Sequence, residues 1–125
     1  MGKKYLIDTK ILIDAQTKNI PQNGLTFLQS IIDEDFTVSF ITYIEFLGYK
    51  AATRESEAFI SLADIIEINK PIIDTCITLR KIQRIKLPDA IIAATALVYE
   101  LTILSRNISD FNNIAKLQVI DPHSL

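Results

Sequence analysis

The twelve residues from Asp89 to Glu100 contain the unbroken run Ile91-Ile92-Ala93-Ala94-Thr95-Ala96-Leu97-Val98. Pro88 stands just before them, where a proline suits a helix's first turn. A helix this apolar has no face to offer water, so it belongs in the middle of a structure, with the alanines allowing close approach of its neighbours. At 125 residues the chain fits one domain, spanning 1–125, and holds enough apolar sequence to bury a core without covalent staples.

Around that helix the pattern alternates. Tyr5-Leu6-Ile7 is strand-like and stops at Asp8; Ile11, Leu12 and Ala15 follow at helical spacing. Pro21 opens a second helix with Leu25, Leu28 and Ile32 on one face, ending near Glu34-Asp35. Thr37-Val38-Ser39-Phe40-Ile41 reads as a strand, Thr42 to about Ala52 as a helix, and Arg54 to about Asp64 as another, with Phe59 and Leu62 inward. Ile65-Ile66-Glu67-Ile68 is a third strand. Asn69 then caps a helix whose inner face is Ile72, Cys76, Leu79 and Ile82. Thr102-Ile103-Leu104 and Leu117-Gln118-Val119-Ile120 complete five strands. Continuous apolar strands separated by helices predict an α/β fold: a roughly five-stranded parallel sheet flanked by helices on both faces. Ligands of such sheets bind in loops at the carboxyl edge.

Several chemistries are excluded early. One cysteine, Cys76, permits neither an internal disulfide nor a thiolate metal site, and its apolar surroundings predict a buried, inert thiol. No glycine-rich phosphate loop exists, because Gly24 and Gly48 stand alone. The single histidine, His123, has no visible partner for a Ser-His-Asp triad and reads as a surface residue. The apolar stretch after Met1-Gly2-Lys3-Lys4 reaches Asp8 after only three residues, too short for a signal peptide, and no run reaches membrane-spanning length, which predicts a cytoplasmic protein. Net charge is −2 and the calculated pI is 5.3, so any affinity for nucleic acid must come from local patches and bound cations.

Carboxylates after strands or at helix starts are the remaining candidates: Asp8, Glu45, Asp89 and Asp110. Each has an ordinary account. Asp8 can cap the helix beginning near Thr9, Thr42-Tyr43-Ile44-Glu45 matches a capping box, and Asp89 and Asp110 lie in first turns favoured by the helix dipole. Their joint placement is more telling. Right-handed crossovers bring the ends of successive strands to one sheet edge, where these acids would share a cleft and repel one another. A multivalent cation lets them stay ionised together, and an oxygen-only donor set selects Mg²⁺ or Mn²⁺. Such ions serve phosphodiester hydrolysis. Ser105 and Thr42 are nearby hydroxyls able to hold an acid or simply to bond within a turn. Arg80, Lys81, Arg84 and Lys86 form the densest basic cluster; they suit a solvated helix end or a phosphate-contacting rim. Tyr43, Phe46 and Tyr49, at helical spacing, suit a core or a dimer surface.

Four segments carry a resemblance. Tyr5-Leu6-Ile7-Asp8-Thr9-Lys10-Ile11-Leu12-Ile13, Ser39-Phe40-Ile41-Thr42-Tyr43-Ile44-Glu45-Phe46, Leu87-Pro88-Asp89-Ala90-Ile91-Ile92-Ala93-Ala94-Thr95-Ala96 and Leu104-Ser105-Arg106-Asn107-Ile108-Ser109-Asp110-Phe111 resemble, in order, the motifs of PIN domain ribonucleases. The size resembles the VapC toxins of type II toxin–antitoxin modules. The resemblance implies a Mg²⁺- or Mn²⁺-dependent endoribonuclease that dimerises and is blocked by a cognate antitoxin. It also implies that Asp8 and Asp89 carry the metal, Glu45 completes the site or orients the attacking water, and Asn107 or Asp110 holds a second ion or an outer water. Lys10, Arg80, Arg84, Lys86 and Arg106 are the candidate RNA contacts. Two positions depart from the family pattern: Lys10 stands where an asparagine is common, and Asn107 where many members have the fourth acid. An alternative reading is therefore a catalytically weakened module that binds RNA or protein without cutting. A phospho-acceptor receiver domain shares the layout but needs a paired acid beside Asp8 and a lysine after Val119-Ile120, both absent.

Overall fold

A computed structural model describes residues 4–125; Met1, Gly2 and Lys3, part of the start weighed above as a signal peptide, lie outside the described residues. The elements run β1 (Tyr5–Ile7), α1 (Thr9–Gln16), α2 (Gln22–Asp35), β2 (Thr37–Ser39), α3 (Phe40–Leu47), α4 (Arg54–Ile60), β3 (Asp64–Ile66), α5 (Lys70–Ile82), α6 (Leu87–Tyr99), β4 (Thr102–Leu104), α7 (Ile108–Phe111) and β5 (Val119–Ile120), closed by a 3₁₀ turn at Pro122–Ser124.

All strand pairs are parallel, as the alternation of strands and helices predicts. They form two sheets rather than one: β1-β4-β5 and β2-β3. β1 and β2 pack side by side, but no ladder joins them. Strands of two or three residues exchange few hydrogen bonds, so losing one ladder costs little when side-chain packing persists.

Successive strand residues point to opposite faces, and this divides the core. Leu6 and Ile103 join Ile72, Cys76 and Leu79 of α5, Ala90–Ala94 of α6 and Phe111 of α7. Their chain neighbours Ile7 and Leu104 instead join Ile11 and Leu12 of α1, Leu28 and Ile31 of α2, Phe46 of α3 and Ile60 of α4. Helices thus cover both faces. Every residue from Ala90 to Ala96 is buried, and Thr95 satisfies its hydroxyl by donating to the Ile91 carbonyl at 2.7 Å. Asn69 caps α5 through the Ile72 N–H at 3.0 Å. Burial pushes the Cys76 thiol above its ordinary range against the pull of Arg80, which keeps it unreactive.

Several expectations are corrected. The β-branched run at 37–41 does not continue as strand, because Ser39 accepts the Ile41 N–H at 3.2 Å and starts α3 at Phe40. Thr42 and Glu45 therefore do not form the expected capping box. α3 ends at Leu47 and α4 at Ile60; Ile60 and Ser56 take the inward positions, while Phe59 is half-buried and Leu62 is 75% exposed. Ile82, at the last turn of α5, also faces water. His123 is not a surface residue. Its side chain lies between Asp14 of α1 (Nε2 to Oδ2, 3.1 Å) and Asp121 (Nδ1 to Oδ1, 3.2 Å), the first a close approach without hydrogen-bond alignment.

The C-terminal turn packs tightly on α2 at Gly24. A Cβ there would overlap the Pro122 carbonyl oxygen and crowd its carbon at 2.7 Å, both of them backbone atoms that cannot swing aside. Gly24→Ala is expected to cost about 2 kcal/mol by displacing the turn, the ordinary penalty of overpacking. Urea unfolding of the two proteins checks this, and a gain in stability from alanine's helix propensity would contradict the packing described.

Candidate functional site

β1 ends where Asp8 begins α1. The Asp8 N–H donates to the Leu104 carbonyl at 3.0 Å, extending the β1-β4 ladder by one bond. Its carboxylate then caps the helix, Oδ1 accepting the Thr9 N–H at 2.8 Å. Ser105, directly after β4, donates its hydroxyl to Oδ2 at 2.8 Å and accepts the Asn107 N–H at 3.0 Å. Asp8 is only 7% exposed. Burial raises its pKa most; the bonds from Ser105 and Thr9 oppose this, and the charges of Glu45 and Asp110 add to it.

Three further acids act on the same space. Glu45 projects from α3 and accepts the Thr9 hydroxyl at 2.7 Å through Oε1. Asp89 sits in the first turn of α6 and Asp110 in that of α7. Burial pushes Asp89 up to about 6, helped by Asp110, then Asp8, opposed by Lys86, with Glu45 adding last. The four carboxylates singled out in the sequence therefore share one field. They do not close into a shell: among the described residues no three histidine, cysteine or acidic side chains come close enough to enclose a metal ion. The chemistry of the donors nevertheless fits a hard divalent cation, since all are oxygens and their mutual repulsion is what such a charge relieves.

Cations border the acids. Arg84 and Lys86 line a cleft of about 420 Å³ together with Gln83, Asp89, Ser109, Asp110 and Asn113. An adjoining groove of about 470 Å³ is lined by Arg80, Lys81, Gln83 and Arg84. Lys10 and Arg106 are exposed and make no ion pair among the described residues, so Lys10 does not neutralise Asp8. Asn107 occupies the cap position of α7 without a side-chain capping bond, whereas the charge of Asp110 reaches both Asp8 and Asp89. Ser105 holds an acid as well as bonding within its turn. Thr42 is fully buried, and its Oγ1 has no partner among the described residues. Sequence reasoning missed Thr9, Ser109 and Asn113. Only Thr9 carried a signal, as a hydroxyl adjacent to the first acid.

The raised Asp89 pKa has a consequence for stability. Between its ordinary value of 3.8 and about 6 the folded chain holds more protons than the unfolded one, so this group's contribution falls as pH rises through that window. In the absence of divalent ions, the melting temperature is expected to drop more steeply from pH 4 to pH 7 in the natural chain than in Asp89→Asn. Parallel melting curves, measured with chelator present, would contradict the coupling.

The chain was compared with known proteins. The PIN domain family matches residues 5–117. No curated protein matches. Among solved structures, a toxin-antitoxin complex from Klebsiella pneumoniae is 31% identical with a TM-score of 0.75, covering 95% of this chain and 98% of that one. FitAcB from Neisseria gonorrhoeae (24% identity, TM-score 0.77, 97% and 99% covered) shares the fold. VapBC-1 from nontypeable Haemophilus influenzae (24%, 0.76, 94% and 97%) shares it too. With the match running from β1 to the residues just before β5, the chain belongs to the PIN domain family.

Proposed function

We propose that this chain is a Mg²⁺- or Mn²⁺-dependent endoribonuclease and the toxin of a toxin–antitoxin pair. The observation that carries the reading is the mutual field of Asp8, Glu45, Asp89 and Asp110 beside the cleft lined by Arg84 and Lys86. Negative charge concentrated next to positive charge suits a phosphodiester bridged to carboxylates by a cation. Similarity to the Klebsiella pneumoniae toxin-antitoxin complex supports the toxin assignment.

Asp8, Asp89, Glu45 and Asp110 would hold the ion. When bound, it supplies positive charge against a phosphate gaining negative charge and makes nearby water more acidic. Arg84 and Lys86 contact phosphate oxygens in the cleft, and Arg80, Arg106 and Lys10 contact the flanking backbone. Glu45 orients the water that attacks phosphorus in line. The bond to the 3′ oxygen breaks, leaving a 3′ hydroxyl on one fragment and a 5′ phosphate on the other. An antitoxin chain and a second copy of this chain are the proposed protein partners; exposed Ile73 and Ile77, one turn apart on α5, offer apolar area for the latter. No helix of the described residues is long and apolar enough to cross a membrane.

A second reading, a binding module that no longer cuts, is favoured by one observation: the acids do not converge tightly. One experiment addresses both. Purified natural chain, Asp89→Asn and Lys10→Asn are compared for Mn²⁺-dependent cleavage of RNA, with circular dichroism confirming the fold. Asp89→Asn is expected to lose about two orders of magnitude or more, and Lys10→Asn only about threefold, through one lost phosphate contact. Cleavage unchanged in Asp89→Asn contradicts the enzyme, while strong activity appearing only in Lys10→Asn supports the weakened module.

A further inference from the structure

We propose that Thr9 is a positioning residue that holds Glu45 inside the acidic site. The inference rests on the metal-binding reading above. Thr9 is 8% exposed and opens α1. Its backbone N–H is committed to Asp8 Oδ1 at 2.8 Å, and its hydroxyl donates to Glu45 Oε1 at 2.7 Å, across 36 positions of chain. One residue therefore bonds two acids from different elements.

Glu45 needs such a tie. It lies on the exposed side of α3, and among the described residues no other side chain bonds it and no lysine or arginine pairs with it. The charges of Asp8 and Asp89 act against its own, so an untethered glutamate would swing outward into water, where its charge is better solvated. A hydroxyl has one proton to give, and an ionised carboxylate can only accept. The Thr9 bond thus engages Oε1 and leaves Oε2 without a side-chain donor. Threonine is also better suited than serine, since its β-branch limits χ1 and keeps the hydroxyl aimed.

The test uses Thr9→Val, which keeps the volume, the β-branch and the backbone N–H while removing the donor; if it does not fold, Thr9→Ala takes its place. Mn²⁺ affinity is measured by calorimetry and metal-free stability by melting, so neither readout depends on RNA cleavage. Thr9→Val is expected to weaken Mn²⁺ binding about tenfold, the usual effect of losing a group that holds a metal ligand. Thr9→Ser should recover most of that loss. Once Glu45→Ala is in place, adding Thr9→Val should change affinity no further, because Thr9 acts only through Glu45. Unchanged affinity in Thr9→Val, no recovery in Thr9→Ser, or a full additional loss beside Glu45→Ala each overturns the inference while the metal reading stands. Absence of Mn²⁺ uptake by the natural chain overturns the metal reading and this inference with it.

Discussion

The Asp8 carboxylate is the point at which strand, helix and site are joined. Its backbone N–H adds a bond to the β1-β4 edge, one side-chain oxygen caps α1 and the other takes the Ser105 hydroxyl from the end of β4. Burying a carboxylate is costly unless its lone pairs are engaged. Here both oxygens are engaged, yet burial, joined by the charges of Glu45 and Asp110, leaves the pKa raised against the two bonds. Capping and pairing thus fix where the acid sits but leave its charge incompletely compensated.

That residual cost spreads through the neighbouring elements. α6 is buried along most of its length because no face of it suits water, and this brings its first turn, with Asp89, into the range of Asp8. The short α7 delivers Asp110 to the same field from the end of β4. Packing on both sides of the strands therefore assembles like charges that would not gather by themselves. Lys86 compensates Asp89 locally and Arg84 lines the same cleft, in a chain whose net charge is −2.

The presence of the strands and the acids that follow them was legible where the signals were local. Asp8 before a helical pattern, Asn69 before Lys70-Pro71, and the apolar run from Ala90 are each read within a few residues. The misreadings share a cause: periodicity does not show where an element stops. Phe40 and Ile41 have strand chemistry, but a buried Ser39 spends its hydroxyl on the Ile41 N–H and the helix begins there. Ile82 and Leu62 keep the spacing of core residues at positions where the core has already ended. His123 was illegible for another reason, since its partner Asp14 lies more than a hundred positions earlier and only the docking of the final turn brings them together. Thr9 falls between these cases: its place beside Asp8 is visible in the sequence, but its bond to Glu45 depends on how α1 and α3 pack.

In the proposed function, a divalent cation relieves the repulsion that Asp8, Glu45, Asp89 and Asp110 share. Proton release on Mn²⁺ binding reports this most directly, by calorimetry near pH 6 in buffers of differing ionisation enthalpy. Binding should displace protons at that pH and progressively fewer towards pH 8, because Asp89 is partly protonated only near its value of about 6. Mn²⁺ uptake with no proton released near pH 6, or no uptake at all, would contradict it.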